Sequence, residues 1–161
     1  MASFDPRNPV IKSRYGLPEI APAASEAAST DFEAGELVYY ATSGLVTVAT
    51  ASSLIAGVAL VDSTNASPAT AMIPVQLILP DDEIQMRVAS DASGTLALAS
   101  TLDVGNDYAI GVASNLVYAD SSDTAGGQVV FVAPINDSAG DSTYWGRFKL
   151  AESKGFVKHA G

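Results

Sequence analysis

From Asp31 onward the chain breaks into short runs of β-type residues, with turn residues every 8–12 positions. That rhythm limits the possible folds more than any other feature. Glu36 to Ala41, the turn Thr42-Ser43-Gly44 and Leu45 to Thr50 read as a hairpin. Leu54 to Val61 is an apolar run, short for a helix and interrupted by Gly57. Thr70 to Leu79 reads as a strand in which Pro74 requires an edge or a bulge. After the turn at Pro80-Asp81-Asp82, Ile84, Met86 and Val88 alternate with Gln85 and Arg87 in period 2. Thr95 to Ala99, Tyr108 to Ala113, Leu116 to Tyr118 and Gln128 to Ala133 complete the series, with Asp120 to Gly127 as a loop. The pattern predicts an all-β fold with a small β-sandwich or β-barrel-like body of the β-tulip type. A faint echo links Ile55-Ala56-Gly57-Val58-Ala59 to Ala109-Ile110-Gly111-Val112-Ala113, and glycine on such a strand permits close backbone approach or a bulge.

At 161 residues the chain suits one domain, or one domain with extensions. It has no cysteine, which excludes disulfide staples, cysteine-ligated zinc and thiol catalysis. A hydrophobic fraction of 48% is too high for a disordered acidic chain. No apolar run approaches the length of a membrane span, and Met1 to Val10 lacks a signal-peptide stretch. The expectation is a soluble product that stays where it is made. The net charge of −10 argues against nucleic acid or an anionic membrane as a partner.

That charge is unevenly spread. Residues 31–141 hold 14 acids and one base, Arg87, whereas residues 142–161 hold Arg147, Lys149, Lys154 and Lys158 against Glu152 alone. Residues 1–30 carry Arg7, Lys12 and Arg14, together with the helix-breaking Pro6, Pro9, Pro18 and Pro22. The division predicted is an extended N-terminal arm over 1–30, a β-rich body over 31–141, and a basic aromatic C-terminal tail over 142–161. Fully extended, such an arm spans about 100 Å, far beyond a body of this size. Ordering it costs on the order of 30–60 kcal/mol, a cost set against a partner surface rather than the body. The expected partner contacts are Phe4, Arg7, Lys12, Arg14 and Tyr15 on the arm. On the tail they are Tyr144, Trp145, Arg147, Phe148, Lys149, Phe156 and Lys158. Arginine and large rings supply contact area at modest entropic cost.

Chemistry-bearing patterns are sparse. His159, the lone histidine, stands at the chain end, so a Ser-His-Asp arrangement has little to build on. Gly126-Gly127 lacks the lysine of a phosphate loop. Asp81-Asp82-Glu83 and Asp120 to Asp123 lack the alternating acids of a calcium loop and read as solvated turns. The sequons at Asn65 and Asn136 read as coincidence. The expectation is no enzyme, no metal and no cofactor.

Phe32-Glu33-Ala34-Gly35-Glu36-Leu37-Val38-Tyr39, then Gly44-Leu45-Val46 and Ile55-Ala56-Gly57-Val58-Ala59, resembles the decoration (cement) proteins of tailed-phage capsids. The resemblance covers about residues 1–140 in organisation and 32–62 in motif detail, and the tail from Tyr144 to His159 departs from shorter members. It implies a structural virion protein on the outer capsid surface, made in the host cytoplasm. Such a protein bridges neighbouring major capsid protein subunits, commonly as a homotrimer. The competing readings are a particle-displayed carbohydrate-binding or host-adhesive β module, a self-assembling shell or tube subunit, and a metal-dependent hydrolase. Against the adhesive module, Tyr39, Tyr40, Tyr108 and Tyr118 are few and suit core or strand-pair roles.

Overall fold

The computed structural model describes residues 10–12, 18–49, 54–91, 93–113, 116–125, 127–135 and 142–151. Side-chain contacts below concern those residues, apart from 10–12, 112, 113, 116 and 142, for which only the backbone is described. Within them lie eleven strands in two sheets and no α-helix. The strands are β1 (Val10–Lys12), β2 (Ile20–Ser25), β3 (Leu37–Tyr40), β4 (Val46–Val48), β5 (Gly57–Ala59), β6 (Met72–Leu77), β7 (Glu83–Ala89), β8 (Asp107–Ala113), β9 (Leu116–Asp120), β10 (Val129–Pro134) and β11 (Trp145–Leu150).

β7 organises the larger sheet. Ile84, Met86 and Val88 are buried while Glu83, Gln85 and Arg87 are half-buried, so the period-2 run puts one face of the strand in the core. One edge of β7 pairs along its length with β11 (Trp145↔Arg87 to Phe148↔Ile84). The opposite edge is shared: its first half takes β1 (Val10↔Gln85, Lys12↔Glu83) and its second half takes β9 in parallel (Arg87↔Tyr118, Ala89↔Asp120). Because β9 also pairs with β8, β8 with β10 and β10 with β11, the strands β7-β11-β10-β8-β9 close into a five-stranded barrel. Closure leaves the barrel strands few free edges.

The second sheet runs β2-β6-β5-β3-β4 and is buried on both faces at its centre. Leu37, Ala49, Ile55, Val58 and Ile78 join the barrel residues Ile84, Met86, Ile110, Val129, Phe131 and Phe148 in one core. On the other face Val38, Val46, Ala56, Ala59, Ile73 and Val75 pack around Phe32 in a second. Leu37 and Val38 thus point into different cores, as neighbours on a strand must. Burial on both faces explains why 55–59 is continuously apolar instead of alternating. Pro74, in β6, lies where the β2–β6 register slips between Ala21 and Ala24, the bulge that a residue without an N–H calls for. At Gly57 an added Cβ would sit 1.9 Å from the Gln76 carbonyl oxygen. Gly111 faces Tyr118 across the β8–β9 pair, and the tyrosine ring fills the space a side chain would take.

The predicted all-β body with barrel character is present, but two of its boundaries are corrected. Residues 20–25 are not a free arm: β2 is an edge strand of the second sheet, and β1 is added to the barrel through β7. β2 is half-buried at most, so it is held by main-chain hydrogen bonds, which leave no hydrophobic period to read. Residues 145–150 are not a tail. β11 sits in the barrel between β7 and β10, with Trp145 and Phe148 buried. Its tight fit depends on Gly146, where a Cβ would meet the Phe131 and Phe148 rings at 2.9 and 2.8 Å. Thr95 to Ala99 also departs from expectation, making one antiparallel bridge at Leu96 and then a 3-10 turn over Ala99–Thr101.

Candidate interaction surface

Of the twelve basic and aromatic residues expected to grip a partner, six lie among the described residues, and two of those, Trp145 and Phe148, are buried in their own protein. Phe148 is fully buried, with its ring centroid 5.4 Å from that of Phe131. Trp145 is 5% exposed, and the Arg87 guanidinium lies 5.7 Å from its ring centroid. These two residues are cross-strand partners, so pairing register delivers the cation to the ring. Arg147 bonds Glu83 at 3.3 Å, and the Lys149 ammonium stands 3.7 Å from an Asp81 carboxylate oxygen. The bases of β11 therefore neutralise acids at the start of β7. Tyr144 is half-buried in a 3-10 turn, and Lys12 lies on β1, paired with Glu83 in register. Phe4, Arg7, Arg14, Tyr15, Phe156 and Lys158 lie outside the described residues.

The acidic run 81–83 is a turn whose three carboxylates go separate ways. Asp81 and Glu83 make the ion pairs just described, while Asp82 is buried and accepts from the Leu79 N–H at 2.9 Å. The expectation of a solvated turn is thus corrected at Asp82. Among the described residues, no group of three or more His, Asp or Glu side chains is placed to hold a metal ion.

Two buried carboxylates of the smaller sheet escaped the sequence reading. Glu26 follows β2 and is fully buried. It accepts from the N–H groups of Thr64, Thr70 and Ala71 at 2.7–3.1 Å and from the Thr64 hydroxyl. Burial pushes its pKa up, but the Thr64, Ala71 and Thr70 bonds outweigh that and hold it at about 2. The residue clamps the 62–71 loop to the end of β2, and a parallel bridge from Glu26 to Val46 draws β2 toward β4. Glu36 accepts from the Glu33 N–H through Oε2, while its Oε1 is buried with no hydrogen-bond partner. Burial raises its pKa, the Glu33 N–H opposes, and the Glu33 and Asp31 charges add to the rise. Neither carries a local signal: Glu26 follows β2 in an Ala- and Ser-rich stretch, and Glu36 precedes β3 in a segment that also holds Asp31 and Glu33.

Both parts of the fold are acidic, but the described bases are confined to one sheet. Residues 18–80 carry six acids (Glu19, Glu26, Asp31, Glu33, Glu36 and Asp62) and no base. The described bases, Lys12, Arg87, Arg147 and Lys149, all belong to the barrel sheet. The smaller sheet also shows exposed apolar side chains: Ile20 is 52%, Leu60 38% and Met72 56% exposed. Where β2 diverges from the β3–β4 turn, an open groove of about 560 Å³ is lined by Ala21, Pro22, Tyr40, Ala41, Thr42 and Gly44. Tyr108 and Tyr118 are buried, and the Tyr108 hydroxyl accepts from the Asp103 N–H, so neither belongs to a surface platform.

A scan against protein-family models gives no match, and neither does a search of curated proteins or of solved structures.

Proposed function

We propose that this chain is a structural protein of a virus particle, a capsid decoration protein that sits on the outer face of the major capsid protein shell and bridges neighbouring subunits. One observation carries the reading. The three sequence pieces that resemble decoration proteins, 32–39, 44–46 and 55–59, form a single unit. β3 pairs with β4 and with β5, and Phe32, Val38, Val46, Ala56 and Ala59 share one core. Motif fragments that assemble around one core support reading them as one unit rather than as scattered hairpins. The strong negative charge also suits a protein exposed on a particle, where like charge keeps particles apart.

The proposed attachment does not rely on the 145–150 segment. With Trp145 and Phe148 in the barrel and Arg147 and Lys149 paired internally, the 145–150 segment serves the fold. The test is co-sedimentation of the full chain with purified shells that lack it. Saturable binding at a fixed ratio to shell subunits, absent with unassembled subunits, is the expected result. No binding at micromolar concentration refutes the reading. Replacing Arg147 and Lys149 together with glutamine should leave shell binding unchanged. A loss of binding that grows with salt would restore a contact role for β11.

A further inference from the structure

Three exposed apolar side chains of the smaller sheet, Ile20, Leu60 and Met72, share a face. In β6, Met72, Pro74 and Gln76 point to the side opposite Ile73 and Val75, which lie in the Phe32 core. The registers Val58↔Gln76 and Ile20↔Gln76 put Val58 and Ile20 on the Met72 side. The Leu60 N–H bonds the Pro74 carbonyl, which extends β5 by one residue and puts Leu60 beside Pro74 on that side. Val58 belongs to the core shared with the barrel, so the barrel covers the middle of this face. Ile20, beside Gln76 on the edge strand, and Leu60, Pro74 and Met72, further along β5 and β6, flank the covered part.

The border of this face is acidic. Glu19 precedes Ile20, Asp62 follows Leu60 by two residues, and the 33–36 turn is tied to the same end. The ties are the bonds from the Gly35 N–H to the Ala59 carbonyl and from the Ala34 N–H to Asp62. Glu19, Asp31, Glu33 and Asp62 are all exposed, and no described base lies in this sheet.

We infer that the face bearing Ile20, Leu60, Pro74 and Met72 seats a different protein whose contact surface is apolar at its centre and carries lysine or arginine at its rim. Charge complementarity selects that occupant: a second copy docked here through the same face would oppose carboxylates with carboxylates, which a cationic rim reverses. The inference deepens the decoration reading and rests on it only for the partner's identity, a shell subunit.

The experiment uses the full chain with two probes: shells lacking this protein, and an immobilised alternating Leu–Lys peptide that presents leucines bordered by lysines. Wild type should bind both, and binding should weaken at least threefold from 50 to 500 mM NaCl as the screening length shrinks. Leu60→Ser with Met72→Ser should weaken both at least tenfold with an unchanged melting temperature. Met72→Lys should weaken binding more than Met72→Asp, because only the lysine repels a basic rim. Position 72 is exposed enough for either substitution to fold. Binding to the peptide but not to shells, with this order of variants, keeps the surface and removes the shell as its partner. Shell binding untouched by the Leu60 and Met72 variants overturns the surface and leaves the decoration reading standing. Equal losses for Lys and Asp overturn the cationic rim, and failure to bind either probe overturns both readings.

Discussion

Phe148→Ala separates a barrel strand from a solvent-facing tail. The Phe148 side chain is fully buried, stacks at a tilt against Phe131, and lies over Gly146 on the strand between β7 and β10. Truncating a buried phenylalanine removes its transfer free energy and leaves a cavity, together about 3–5 kcal/mol. The strand is held on both edges, so collapse into the cavity is restricted and the upper half of that range applies, about 4 kcal/mol. With a urea m-value of about 2 kcal/mol/M for a chain of this size, the unfolding midpoint should fall by about 2 M. Trp145, the single tryptophan, sits three residues away on the same strand and is almost fully buried, so its fluorescence reports the transition directly. A midpoint shift below about 0.5 M would mean that 145–150 contributes little to the folded state, and the barrel topology would be wrong.

Other perturbations test the smaller sheet. Glu26→Ala leaves the Thr64, Thr70 and Ala71 N–H groups without their acceptor and should cost about 3–5 kcal/mol, read by denaturant unfolding. The same carboxylate predicts acid sensitivity. Its pKa in the fold lies below the ordinary value of 4.5, so the stability it contributes is complete above that pH and is lost as pH falls toward about 2. A wild-type acid melt that is shallower in Glu26→Gln checks this. Glu36 has the opposite sign: its raised pKa means stability is lost as pH rises through the folded value. Glu36→Gln should therefore melt higher than wild type at pH 7, with the gap closing toward pH 4. Gly57→Ala drives a methyl into the Gln76 carbonyl, a backbone clash no rotamer relieves. It should yield insoluble protein or a melting temperature at least 10 °C lower, whereas the same change at the open, positive-φ Gly44 should cost only about 1–2 kcal/mol.

Where side-chain burial alternates, the strands were legible. β7 shows the strict pattern that its one-sided core demands, and the β3–β4 hairpin follows its Thr42-Ser43-Gly44 turn. Pro74 announced its bulge for an equally local reason, a missing N–H. β2 was not legible because its pairing is made by backbone groups common to every residue. β11 was not legible because its alternation is mixed: Arg147 and Lys149 share a face with the buried Trp145, while Phe148 occupies the other. The exposed apolar face is hidden for a related reason. Ile20, Leu60 and Met72 are far apart in sequence, and nothing local says whether a given β-face lies under the barrel or beyond it.

The chain by itself thus determined the β class, the turns and the net acidity, since these follow from residue-level preferences and a sum of charges. Tertiary structure alone decided which segments are body and which are periphery. It closed the barrel through the parallel pairing of β7 with β9, brought Arg147 and Lys149 onto the acids at the start of β7, and left part of one face of the smaller sheet exposed. Each of those outcomes depends on contacts between residues tens of positions apart, where register and packing select partners that no local pattern specifies.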